Sequence, residues 1–180
     1  AYFYNASFPL QKNNINSLNT LIPKLSFRIS PHDMKNYSST GRRIDINNVF
    51  SNNRLSLGDS FEGGESLTLG VDFKKEKINE LDKVTEIEEY FDFKLATVFR
   101  FNNENYIPIN STINKKTSNI FGLLNYKPNQ NINFNYDFSL TNDLDTLEYN
   151  SVGAEFEFNN FSTRFNYIEE AGILGSTNLI

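Results

Sequence analysis

The side chains able to do chemistry are few and poorly placed for it. His32 is the single histidine in 180 residues. Any Ser-His-acid triad would have to use it, yet its neighbours Ser30, Pro31, Asp33 and Met34 form no nucleophile elbow, so it reads as a surface loop residue. The carboxylate pairs Glu88–Glu89 and Asp143–Asp145 lie in polar stretches, without the apolar pocket that splits the pKa values of a working acid and base. Asp143 and Asp145 offer oxygens to a Ca²⁺ ion, but TNDLDT lacks the remaining ligands of a calcium loop. Gly63 and Gly64 in FEGGES suit a hairpin-type turn rather than a phosphate-cradling loop. With no Cys and one His, thiolate and imidazole metal sites are not expected. The sequence therefore predicts no catalytic residues, no cofactor and no metal, and no enzyme.

The elements that would position such residues are legible from composition and period. A net charge of −5, with cations scattered along the chain, argues against a nucleic-acid surface. Only 38% of residues are hydrophobic while 28 are Asn, so the core per residue is thin. The longest apolar stretches resemble IFGLL (residues 120–124), far short of the roughly 18 residues a spanning helix needs. The chain begins AYFYNASFP, with no initiator Met and no signal peptide, which leaves open a mature start or a piece of something longer.

The strong signal is period two. In INFNYDFSLT, Ile132, Phe134, Tyr136, Phe138 and Leu140 alternate with Asn133, Asn135, Asp137, Ser139 and Thr141, so one strand face is apolar and the other polar. LIPKLSFRI repeats the pattern, with Pro23 expected near the strand's start. SLTLGVDF, FDFKLATVFRF and SVGAEFEF do the same. KPNQ, with Pro128 and Asn129, predicts one hairpin turn, and Asn159–Asn160 a two-residue turn. The expected fold is all-β, an antiparallel up-and-down meander of about eight to ten strands. Two stretches are expected as long loops: residues 30–48, rich in turn formers, and residues 74–90, which mixes charges and reads as a solvated loop, with a helical turn or two or a solvated strand-loop-strand tip as its other forms.

Alternation alone suits a soluble sandwich as well as a membrane barrel. The filling of the faces favours the barrel. A packed sandwich core prefers fitted β-branched aliphatics, whereas these apolar faces carry Phe, Leu, Ile and Tyr, which lipid accepts without a jigsaw constraint. Tyr106, Tyr126, Tyr149 and Tyr167 fall near expected strand ends, where an interfacial girdle would sit. A generic porin-like barrel and a soluble carbohydrate-binding β-sandwich remain alternatives.

Three runs carry a family resemblance. They are the SP-x-D opening (Ser30, Pro31, Asp33), the R-x-D-x-N-N-x-F-S-x-N-R-L run from Arg43 to Leu55, and E-G-G-x-S-L-T-L-G from Glu62 to Gly70. Over about residues 24–77 the chain resembles the barrel domain of LptD, the lipopolysaccharide-assembly protein; FKLATVFR and the closing YIEEAGILGSTNLI are similar less distinctively. The resemblance implies an outer-membrane location in a Gram-negative bacterium and a very large transmembrane β-barrel, of which residues 1–180 would be an incomplete internal portion. It implies lipopolysaccharide as cargo, outer-membrane lipid around the wall, and a lipoprotein plug of the LptE kind. It also implies periplasmic bridge proteins reached through an N-terminal domain absent from this stretch. On that reading Arg28, Arg100, Asn133, Asn135, Asp137 and Arg164 are expected to face the lumen, and the segment from Ser30 to Glu65 either folds into the lumen or caps the cell surface.

Overall fold

The computed structural model describes residues 1–81, 84–159, 161–172 and 175–179. Its strands are β1 (Tyr2–Ser7), β2 (Leu10–Asn14), β3 (Ser17–Ser30), β4 (Gly64–Leu81), β5 (Val84–Arg100), β6 (Ile120–Asn129), β7 (Ile132–Leu140), β8 (Leu147–Phe158), β9 (Phe161–Gly172) and β10 (Gly175–Leu179). All pairings are antiparallel, and from β3 onward each strand pairs with the next in sequence. β1 and β2 lie end to end along the same edge of β3. The only helical element among the described residues is one 3-10 turn, Ile109–Ser111. No described helix is long and apolar enough to cross a membrane.

The register assigns every strand residue to a face. Leu21, Pro23, Leu25, Phe27 and Ile29 share one side with Leu67, Leu69, Val71 and Phe73 of β4 and with Leu95 and Phe93 of β5. That side continues through Leu124, Tyr136, Val152 and Tyr167. Across the sheet, Ser26, Arg28, Thr68, Asp72 and Val98 fall on the opposite face. No second sheet covers the apolar side among the described residues, which is what a sandwich would require. Phe134, Val152, Phe158, Phe161 and Phe165 on that side are all exposed.

The buried core sits on the polar face instead. Met34, Ile44, Ile46, Val49, Leu55 and Leu57 of the β3–β4 connection cluster with Ile107 and Ile113 of the β5–β6 connection and with Ala96, Val98 and Phe121 of the sheet. Two long connections thus fold back over the strands that bracket them, while the opposite end of the sheet has short turns. The sheet is inside-out for a protein in water: its oily face is bare and the packed core lies on its polar face.

Proline chemistry explains two departures from expectation. Pro23 lies mid-strand, not at the start of β3, which begins at Ser17. A residue's N–H and C=O point to the same side of a strand, and the Pro23 carbonyl accepts from Phe8 N at 3.0 Å, in the gap between β1 and β2. The missing N–H therefore faces the one place where the neighbouring strand is already interrupted. Pro128 likewise lies within β6, at a register shift between Tyr126 and Asn129; the turn itself falls at Gln130 and Asn131 and is closed by Asn131 N donating to Asn129 Oδ1 at 2.9 Å. Asn159 takes the expected left-handed conformation with φ 50°, and Asn160 lies outside the described residues.

The stretch 74–90, expected as a loop, is strand on both sides: β4 runs to Leu81 and β5 starts at Val84. Cross-strand charge does what an apolar face does elsewhere, with Lys74 Nζ bonded to Glu89 Oε2 at 2.9 Å. A bulge between Lys75 and Glu76 re-aims the hairpin. β3 pairs with β4 no further than Lys77, and β6 meets β5 only from Phe91. Beyond these last pairings the hairpin runs on for roughly 13 Å past β3 and 23 Å past its ladder with β6, at about 3.3 Å per residue.

Candidate functional site: a charged clasp between loop and wall

Three arginines and one glutamate converge where the β3–β4 connection meets the polar face. Arg28 comes from β3, Arg100 from the end of β5, and Arg54 and Glu62 from the connection. Glu62 Oε1 accepts from Arg54 Nη2 at 2.6 Å and from Arg100 Nη1 at 2.7 Å, and Oε2 accepts from Arg54 Nε at 2.8 Å. The Arg28 Nε atom stands 3.8 Å from the same carboxylate. Side chains of Glu62, Arg54 and Arg100 are each 1% exposed. A fork-to-carboxylate pair of this kind is among the stronger charged contacts a protein makes.

The remaining donors tie the loop backbone and the strands together. Arg54 Nη1 reaches Thr68 Oγ1 at 2.9 Å and Nη2 reaches Ser66 Oγ at 3.0 Å, both on β4. Arg28 donates to the carbonyls of Asn52 and Ser51 at 2.9 Å each, and Arg100 to the Gly63 carbonyl. Phe50 completes the seat. Its ring occupies the space where a Cβ on Gly70 would stand, so that strand position needs Gly for the approach. Burial by itself would raise the Glu62 carboxyl, but the charges of Arg54, Arg28 and Arg100 and the Arg54 hydrogen bonds overcome it and bring the pKa to about 2. Glu62 is therefore ionised throughout the ordinary pH range.

A second anchor lies across the sheet. Arg43 stacks over the Tyr149 ring with its guanidinium carbon 3.6 Å from the centroid, and its Nη1 is 3.7 Å from Glu170 Oε1. Tyr149 thus points to the polar face and is not part of an interfacial girdle. Of the other Tyr assigned to strand ends, Tyr106 lies in the β5–β6 connection, Tyr167 sits within β9 opposite Val152, and Tyr126 lies on the apolar side. The connection spans the polar face from β3 to β9, held at both ends by arginine.

The six positions expected on the lumen side are all on the polar face, but they do not form one site. Arg28 and Arg100 belong to the clasp. Asn133, Asn135 and Asp137 follow one another along β7, opposite Glu155, Gly153 and Ser151 of β8. The Asn135 amide lies over Gly153, in the space a Cβ would take. Arg164 is largely exposed and pairs with Glu155 at 2.6 Å. Toward the short-turn end, Glu88, Glu89, Lys127, Asn133, Glu155 and Glu157 line an open polar hollow of about 420 Å³. Nearer the long connections, Arg100, His32, Asp33, Glu65, Glu104 and Tyr106 line another of about 300 Å³.

Arg54 and Glu62 fall in the runs that carry the family resemblance, but the sequence reading gives neither a role, although a signal exists. The β3–β4 connection carries Ile44, Ile46, Val49, Leu55 and Leu57, which a solvated loop has no use for, and a charge embedded among them needs a partner. Of the two carboxylate pairs in the sequence, Asp143 closes its own turn by accepting from Thr141 Oγ1 at 2.5 Å, and Glu89 pairs with Lys74. Among the described residues no group of three or more His, Asp or Glu is placed to hold a metal ion. The arrangement holds the β3–β4 connection against the polar face of the strands.

Comparison with known families matches the chain over residues 2–176 to the family described as LptD, LPS transport system D. No curated protein matches the chain.

Proposed function

The chain belongs to the LptD family of the lipopolysaccharide transport system, in the outer membrane of Gram-negative bacteria, and from that premise we propose that it forms one arc of the translocon that delivers lipopolysaccharide to the outer leaflet. The carrying observation is the inverted sheet, whose large apolar side chains stand exposed on one face while the other holds a packed, charged plug. Lipid outside and water inside is the environment that makes both faces favourable. The sheet is open, with β1 and β2 at one edge and β10 at the other. Further strands of a larger barrel pair with these edges, since bare ladders do not persist in lipid.

In this reading the polar face is wall for the saccharide, and the β3–β4 connection is a stopper at the lumen's outer end. Short turns at the opposite end mark the periplasmic side. The acidic hollow by Glu155 and Glu157, left uncovered by the connections, suits a lipoprotein plug of the LptE kind or the sugars in passage. Periplasmic bridge proteins would supply the lipid from that side.

The test is in-cell photocrosslinking at single positions along β7. Asn133, Asn135 and Asp137 are expected to yield lipopolysaccharide or plug adducts, and Phe134 and Tyr136 lipid adducts alone. Lipopolysaccharide adducts confined to Phe134 and Tyr136 would reverse the faces and defeat the proposal.

A further inference from the structure

On the apolar side the residue rows run continuously across the sheet, and one of them changes character. The row Leu10, Leu21, Phe73, Phe93, Leu124, Tyr136, Val152, Tyr167 is apolar from edge to edge. One step toward the short turns, the row reads Lys12, Asn19, Lys75, then Phe91, Tyr126, Phe134, Ala154 and Phe165. The apolar band therefore ends a row earlier on β2–β4 than on β5–β9. Strands tilted by about 35–45° to the membrane produce this slant, because rows perpendicular to the strands cross the bilayer obliquely. Lys77, one step further along β4, shares the side with Lys12 and Lys75.

These three lysines sit where the hydrocarbon would stop. Lys75 Nζ lies 5.7 Å from the Phe73 ring centre and 5.9 Å from that of Phe91, and Lys77 Nζ lies 5.1 Å from Tyr90. The ammoniums of Lys75 and Lys77 are thus held beside aromatic rings at the edge of the band, and Lys12 lies fully exposed on β2. Elsewhere among the described residues the lysine ion pairs are those of Lys24, Lys35, Lys74 and Lys94. The nearest acidic neighbour in register is Glu88, opposite Lys77. Lys12 and Lys75 are two strands apart, about 10 Å at the usual strand spacing, which is wide enough for separate lipid headgroups.

We infer that Lys12, Lys75 and Lys77 form a binding strip for the phosphates of anionic phospholipids in the leaflet at the short-turn end. The inference rests on the membrane reading above and adds a lipid preference to it. Positive side chains just beyond an apolar band complement an anionic headgroup, each worth about fivefold in local lipid enrichment.

The chain has no Trp, so a single reporter introduced as Leu21→Trp sits one row above the strip. In the protein carrying this chain, with other Trp removed, quenching by dibrominated phosphatidylglycerol is compared with quenching by dibrominated phosphatidylcholine in bilayers. The expected result is a severalfold local preference for phosphatidylglycerol. It falls to near parity in the Lys12→Gln/Lys75→Gln/Lys77→Gln variant and, without any mutation, in 0.5 M salt, where screening is short-ranged. A reporter at Phe156→Trp, on β8, sees no change between the two proteins. An unchanged preference in the triple variant, insensitivity to salt, or a stronger preference for lipopolysaccharide at Leu21→Trp would each overturn the inference. Quenching by neither bromolipid would overturn the membrane reading itself.

Discussion

Replacing Glu62 by Gln removes the carboxylate on which three arginines converge while keeping the side chain's size. The cost follows from its titration. Holding a carboxyl at about 2 rather than 4.5 amounts to about 3 kcal/mol of preference for the ionised form at 1.36 kcal/mol per pKa unit. That agrees with the 3–5 kcal/mol typical of breaking a buried pair and leaving its charge behind. Arg54, Arg28 and Arg100 would then repel one another in a site almost closed to water, and the contact that relaxes is the seating of the β3–β4 connection. A loss of about 3 kcal/mol raises the population of the unseated loop roughly 150-fold. Amide hydrogen exchange reads this directly at Val49, Ser51 and Ser56, whose N–H groups bond only within the connection, to Asp45, Asn48 and Asn53. Their protection should drop by about two orders of magnitude, while amides in β7 and β8 keep theirs. Protection unchanged within about threefold, in a variant retaining normal heat-modifiable gel mobility, would refute the clasp as what holds the loop.

Three further outcomes follow from the same geometry. Because the folded pKa of Glu62 lies below its unfolded value, the stabilisation is fully present above about pH 4.5 and is lost as pH falls toward 2; loop proteolysis should be flat from pH 7 to 5 and rise only below about 4. Gly122→Val would drive a side chain into the Phe138 ring on the adjoining strand, costing about 1–3 kcal/mol, seen as a lower temperature for the heat-modifiable gel shift and relieved by adding Phe138→Ala. Tyr136→Arg, in the row that is apolar on every strand from β2 to β9, should cost roughly 2–4 kcal/mol, whereas Asn135→Arg on the opposite face should cost well under that in the same refolding titration.

Strand phase was the most legible part of the fold, because a half-buried strand repeats every two residues whichever solvent its apolar face meets. β3, β4, β5, β7 and β8 could be assigned to faces residue by residue. The β4–β5 hairpin was not legible between residues 74 and 90, since Lys74 pairs with Glu89 across the strands and leaves no apolar periodicity to detect. Pro23 and Pro128 misled for a related reason: a missing N–H is harmless wherever the neighbouring ladder is already broken, and where it breaks is a property of pairing. The clasp joins residues 28, 54, 62 and 100, separations that only the folded-back connection closes. Its arginines on the strands were visible as polar-face residues; the carboxylate that gathers them was not.

The central claim is that the apolar side of the sheet faces lipid and the polar side faces a water-filled, plugged interior. The chain contains no Cys, so a single-Cys scan through β7, from Ile132 to Leu140, tests it with little background. Spin labels at residues 132, 134, 136, 138 and 140 should be relaxed by oxygen dissolved in the bilayer, and those at 133, 135, 137 and 139 should be shielded from it. Oxygen accessibility in the opposite phase, or with no period of two, would contradict the account.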